Sequence, residues 1–78
     1  MFDTLKDLIC RELGVEEDQI TPETDFVTDL HCDSLELIEL TNVVEEEFEL
    51  DEIPEEELVL LKTVGDLFRY IEENVKES

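Results

Sequence analysis

Residues 30–40 read LHCDSLELIEL. The chain's only histidine, His31, one of its two cysteines, Cys32, and a serine, Ser34, fall within five positions of one another. These are the residue types of a nucleophilic site, and they also stand where a helix begins. Asp33-Ser34-Leu35-Glu36 has the form of a capping box, in which Asp33 accepts from the amide three residues on and Glu36 reaches back. The helix it opens is predicted to run to about Phe48. At about 100° per residue, Leu37, Leu40, Val44 and Phe48 share an arc of about 80°, a stripe that faces a core. Nearly opposite lie Leu35, Ile38, Glu39, Asn42 and Glu46. Leu35 and Ile38 are large aliphatics on a charged face, and such residues mark a contact surface. A wider buried stripe is the alternative for Ile38.

Upstream, Phe2, Leu5, Leu8, Ile9 and Leu13 recur at helical spacing and Gly14 supplies the stop. From Val15 to Asp33 the pattern dissolves into a polar loop with single apolar anchors at Val15, Ile20, Phe26 and Leu30. Its length is of the kind that carries function or is pinned by its apolar residues. Within it, Thr21-Pro22-Glu23 is predicted to open one helical turn, with Thr21 as cap and Pro22 at the first helical position. Downstream, Ile53-Pro54-Glu55 starts a short third helix, Pro54 fitting its first turn and Glu55 to Glu57 its positive end. Leu58, Leu60 and Leu61 cannot all face one way in so short an element. Thr63 caps a fourth helix, with Asp66 three residues on, and Val64, Leu67, Phe68, Ile71 and Val75 give its apolar face. The expectation is an all-α fold, a small four-helix bundle of three main helices and a short third one, in a single domain over residues 1–78.

Composition narrows the function classes. The 78 residues are enough for one small core and too few for a deep catalytic cleft. Acids number 25 against five bases, for a net charge of −20. Lys6 and Arg11 lie near one end, Lys62, Arg69 and Lys76 near the other, and no cation stands between Arg11 and Lys62. This field repels nucleic acid and anionic membranes and draws basic proteins or cations. It also strains the compact state by self-repulsion. The opening MFDTLKDLICRELG is charged throughout, so no membrane insertion and a cytoplasmic protein are expected. Cys10 and Cys32 fit no zinc spacing and are read as two free thiols.

Nucleophilic catalysis by Ser34 requires a base and a group to orient that base. His31 is the sole candidate base, it precedes the helix, and no glycine-rich oxyanion loop accompanies it. An ordered calcium loop is absent from the sequence, because no glycine follows the acids at the required spacing; no dedicated metal site is expected, only diffuse cation binding along residues 45–57. The remaining reading makes Ser34 a substrate. A serine in the first turn of a helix sits where amide N–H groups and the helix dipole favour an attached phosphate.

TPETDFVTDL before the motif, DSLELIEL at it, EEEFELDEIP after the second helix and TVGDLFRYI in the last one stand in an order and spacing that carry a family. Over nearly its whole length the chain resembles the acyl carrier proteins of bacterial type II fatty acid synthesis. The resemblance implies an up-and-down bundle with a long first loop. It implies that Ser34 receives 4′-phosphopantetheine from coenzyme A through a separate phosphopantetheinyl transferase, and that acyl groups ride as thioesters on the arm. The protein is then a monomeric carrier, not an enzyme. In the family, basic patches of fatty acid synthesis and related acyl-transfer enzymes dock on the second helix; the matching acids here are Asp33, Glu36, Glu39, Glu45 and Glu46, with Glu55 from the third helix. Leu35 and Ile38 become the apolar spots of that surface. The family also houses the acyl chain in a cleft bordered by the second and third helices, for which Phe26, Val44, Ile53, Leu58 and Leu61 are the candidates here, core side chains otherwise.

The chain departs from the family pattern at two places. His31-Cys32 stands where Gly-Ala is usual before Asp-Ser-Leu, and Asn42 replaces a common methionine. Loss of the glycine questions the loop's backbone path, and a ring beside the arm suits a specialised carrier for a dedicated polyketide or modified-lipid pathway as an alternative. Competition by Cys32 for acyl groups, or a mixed disulfide with the arm, is the lesser alternative to its reading as a free thiol. An acidic interaction module that is never modified is the rival from another class; retention of Asp33-Ser34-Leu35 favours the carrier.

Overall fold

In a computed structural model, described here for residues 2–75, the chain forms α1 (Phe2–Leu13), α2 (Ser34–Glu47), α3 (Glu55–Leu58) and α4 (Val64–Asn74). Lys76 lies outside the described residues. The all-α bundle of three main helices and one short one is the architecture found, with no strand among the described residues beyond an isolated bridge between Asp25 and Thr63.

Local sequence explains most helix ends. Gly14 takes a left-handed backbone (φ 68°) and its N–H closes α1 on Cys10 O at 2.8 Å. Asp33 Oδ1 accepts from Glu36 N–H at 2.8 Å while Glu36 Oε1 accepts from Asp33 N–H at 3.3 Å, the reciprocal cap expected. Thr63 Oγ1 accepts from Asp66 N–H at 3.1 Å and Asp66 Oδ2 from Thr63 N–H at 3.2 Å, which starts α4 in the same way. The end of α2 has no glycine. Glu49 adopts φ 54° instead, and Leu50 N–H bonds back to Glu45 O at 2.9 Å.

Two predicted turns differ. Pro54 is not in the first turn of α3 but caps it from extended backbone, its carbonyl accepting from Glu57 and Leu58 N–H. The segment at Thr21 is a single hydrogen-bonded turn, not a helix, and its capping runs the other way: Thr24 Oγ1 accepts from Thr21 N–H at 2.8 Å and donates to Gln19 O at 3.0 Å. The helical turn of this loop lies earlier, at Glu17–Gln19, as a 3₁₀ turn.

The core joins Leu5, Leu8 and Ile9 of α1, Leu40 and Val44 of α2, and Val64, Leu67 and Ile71 of α4. Ile20 and Phe26 insert into it from the long loop and Ile53 and Leu61 from either side of α3. Val15, Leu30, Leu37 and Phe48 pack at its margin, half-buried. Leu61, beyond the end of α3, is buried, Leu60 is exposed, and Leu58 is half-buried, so the three leucines do not face one way. Phe2 meets Phe68 edge to face with centroids 5.1 Å apart, tying the start of α1 to α4. Thr41, buried beside Leu40 and Val44, completes the α2 stripe and donates its hydroxyl to Ile38 O at 2.8 Å. A buried polar group satisfied within its own helix fits an apolar stripe.

The long loop is stitched to the start of α4. Val64 N–H donates to Thr24 O at 2.9 Å, Gly65 N–H to Pro22 O at 2.8 Å, and Phe26 N–H to Lys62 O at 2.9 Å. The first amides of a helix lack partners within it, and here loop carbonyls supply two of them. Such an approach needs glycine at position 65, because a Cβ there stands 2.7 Å from the Pro22 oxygen. Gly65→Ala is therefore expected to destabilise the fold by roughly 1–3 kcal/mol, although alanine favours helix. Thermal unfolding checks this: a midpoint equal to or above wild type contradicts the stitch.

Candidate functional site

Ser34 is the first residue of α2 and is exposed. The cap formed by Asp33 and Glu36 fixes the turn that carries it, so its hydroxyl stands on a defined base and faces solvent. The approach to that turn is equally fixed. Asp25 Oδ1 accepts from Val27 and Thr28 N–H at 2.8 and 2.9 Å, Asp29 Oδ2 from Asp25 N–H at 2.8 Å, and Cys32 N–H closes the loop on Phe26 O at 2.8 Å. The bonds from Thr28 and Val27 N–H hold the Asp25 carboxyl below its usual range.

His31 is exposed and takes φ 58°, with its N–H donating to Val27 O at 3.1 Å. The loop therefore follows a left-handed path that glycine adopts readily, and histidine is among the residues that tolerate it. The backbone at His31 is thus one that glycine could also adopt. The neighbouring Cys32 thiol is buried in the core, and burial, reinforced by Glu36 and Asp33, pushes its pKa up. A thiol that is both sealed and protonated is a poor nucleophile, which removes the ground for its competing for acyl groups. Cys10 is half-buried, with its pKa raised by burial and by Glu17 and Asp7.

The outer face of α2 is as the periodicity predicts. Leu35 and Ile38 are 65% and 45% exposed, which decides against a wider buried stripe for Ile38. Asp33, Glu36, Glu39 and Glu46 are exposed on α2 and its cap, and Glu55 is exposed at the start of α3. Glu45 differs from them: it is half-buried, and its Oε2 accepts from Ile53 N–H at 2.9 Å across the connection to α3. Its carboxylate is thus committed inward.

Beside Ser34 a hollow of about 220 Å³ opens between Leu37 and Ile38 of α2 and Leu58 and Val59 at α3. It adjoins two others that share Leu58. One, about 300 Å³, is bordered by Ile38, Asn42, Glu45 and Ile53; the other, about 350 Å³, by Val27, Leu37, Leu61 and Lys62. Of the acyl-cleft candidates, Ile53, Leu58 and Leu61 border these hollows, whereas Phe26 and Val44 border none of the three and are fully buried. Val27 and Val59, 60% and 66% exposed, were not singled out from the sequence. Val27 stands alone in a polar loop and Val59 lies inside the run Leu58 to Leu61, so neither carries a periodic signal. A solvent-facing hydroxyl on a capped turn, with an apolar trough beside it and acids around it, fits the attachment and lodging of a long, partly apolar adduct.

Comparison with known proteins points the same way. The family described as "Phosphopantetheine attachment site" matches residues 3–71. The acyl carrier protein of Clostridium perfringens strain SM101 is 48% identical over 77 residues, covering 99% of this chain and 100% of that protein, and the acyl carrier protein of C. perfringens strain 13 matches to the same extent. Among solved structures, the acyl carrier protein of Enterococcus faecalis superposes with a TM-score of 0.78 at 30% identity, over 94% of this chain and 91% of that one.

The contrast between the thiols is measurable. With iodoacetamide at neutral pH, Cys32 is expected to react about tenfold or more slowly than Cys10, because a buried thiol waits on local opening. Equal rates in the folded protein contradict the placement of Cys32.

Proposed function

The chain belongs to the phosphopantetheine-attachment family of acyl carrier proteins, and from that premise we propose that Ser34 is the residue that takes the 4′-phosphopantetheine arm. Acyl intermediates are carried as thioesters on the arm's terminal sulfur and passed to fatty acid synthesis enzymes. The observation that carries the assignment is the exposure of Ser34 on the capped first turn of α2, beside a hollow large enough to receive part of the arm. In the modification, Ser34 Oγ forms the bond to the pantetheine phosphorus of coenzyme A, adenosine 3′,5′-bisphosphate leaves, and the hydroxyl proton goes to a base of the transferase. The α2 N-terminus then favours the phosphodiester charge.

The rest of the chain serves recognition. Asp33, Glu36, Glu39, Glu46 and Glu55 form an exposed acidic face for basic patches on the transferase and on acyl-transfer enzymes, with Leu35 and Ile38 as its apolar contacts. Exposed ion pairs contribute only about 0–1 kcal/mol each. Several together give fast, weak docking, as a shuttle requires. Ile53, Leu58 and Leu61 border the cleft that takes the acyl chain, and Phe26 and Val44 are its inner wall once it opens. The protein acts as a monomeric cytoplasmic carrier over residues 1–78 and performs no catalysis itself.

Intact mass tests this. Incubation with coenzyme A, magnesium and a phosphopantetheinyl transferase is expected to add one phosphopantetheine to the wild type and nothing to Ser34→Ala. No gain, or a gain that survives Ser34→Ala, overturns the assignment.

A further inference from the structure

The connection from α2 to α3 leaves Phe48 through the left-handed residue Glu49 and runs through Asp51 and Glu52, so a crowd of acids lies beside the negative end of α2. Like charges and the helix dipole both push this segment outward. The bond from Ile53 N–H to Glu45 Oε2 at 2.9 Å opposes that push, spanning eight residues and partly shielded from water. It holds the Ile53 side chain, 4% exposed, in the core. α3 has little else of its own to fix it: it is four residues long and its cap, Pro54, offers no side-chain acceptor.

Ile53 is also where the cleft stops. The hollow between α2 and α3 is bordered by Ile53 and Leu58, and Val44 and Phe26 lie sealed in the core. Ile53 thus stands in the wall of this hollow with its side chain in the core, and its displacement opens a way inward. We propose that Glu45 is a positioning residue whose carboxylate latches Ile53 and keeps the acyl cleft shut while the arm is unloaded. The bond breaks when an acyl chain displaces Ile53. This rests on the carrier reading above and adds to it a named gate. A charge-assisted bond present in the closed form alone biases the closed-to-open equilibrium about tenfold or more.

Two variants separate the bond from the charge. Glu45→Asp keeps the charge and loses the reach; Glu45→Gln keeps the acceptor oxygen and loses the charge. Each is prepared with an unacylated arm and with an eight-carbon acyl thioester, loading being driven to completion and verified by intact mass, and thermal midpoints are compared. The unacylated Glu45→Asp protein is expected to melt about 4–8 °C below wild type, the acylated one by clearly less, so that acylation raises its midpoint more than it raises that of wild type. Glu45→Gln, which keeps a neutral and weaker acceptor, is expected to respond to acylation to a degree between that of Glu45→Asp and that of wild type, and a response as large as that of Glu45→Asp overturns the bond as the latch. An equal fall in both Glu45→Asp forms means a purely structural bond and overturns the latch while leaving the carrier reading intact. No acyl-induced rise in wild type places the chain outside the bundle and overturns the latch as well. Should Glu45→Asp not fold, amide exchange at Ile53 in the wild type decides: protection in the unacylated form that weakens on acylation supports the latch, and unchanged or absent protection overturns it.

Discussion

A thin core must hold together a chain with twenty excess negative charges, and much of this structure answers that imbalance. The buried side chains are mostly aliphatic, with one phenylalanine, Cys32 and two threonines, gathered from three helices and three connections. Against them stand acids concentrated on α2, α3 and the segment between, including three glutamates in the last turn of α2, where the helix dipole is already negative and no basic residue offsets it. Such placement lowers stability. It is understandable if partners read those charges, since an acidic face raises encounter rates with basic surfaces far more than it strengthens any single contact.

The fold economises on apolar area by closing its polar groups instead. Loop carbonyls serve the first amides of α4, Asp25 and Asp29 fold the approach to the site, and reciprocal caps start α2 and α4. The turn beneath Ser34 is thereby held by reciprocal hydrogen bonds, while its side chain stays exposed. The same economy leaves α3 lightly held. Stability is not uniform in small domains, and this lightly anchored element borders the apolar hollows beside Ser34.

What could be read from the sequence was local. The caps at Asp33 and Thr63, the stop at Gly14 and the exposed pair Leu35 and Ile38 follow from spacing within a turn or two, and the structure bears them out. What escaped depends on partners remote in the chain. Glu45 reads as one more surface acid because periodicity registers its charge and not the Ile53 amide waiting eight residues away. Gly65 and Pro22 are unremarkable until the loop folds back on α4. Thr41 and Thr24 are buried polar residues whose bonds, within their own segments, let them count as core. At Thr21 the turn chemistry was recognisable but its direction was not, since Thr21 and Thr24 can each cap the other. His31 kept a backbone path expected to need glycine, and Cys32 proved a core residue although it stands two positions from the exposed Ser34.

The central claim, that these acids are held for docking at the expense of stability, makes one salt titration decisive. As sodium chloride rises from about 0.01 to 0.5 M, the screening length shortens from about 30 Å to only a few Å. The thermal midpoint is then predicted to rise while kcat/KM for phosphopantetheinyl transfer to Ser34 falls over the same range. A midpoint that stays flat or falls, or a transfer rate indifferent to salt, contradicts the account.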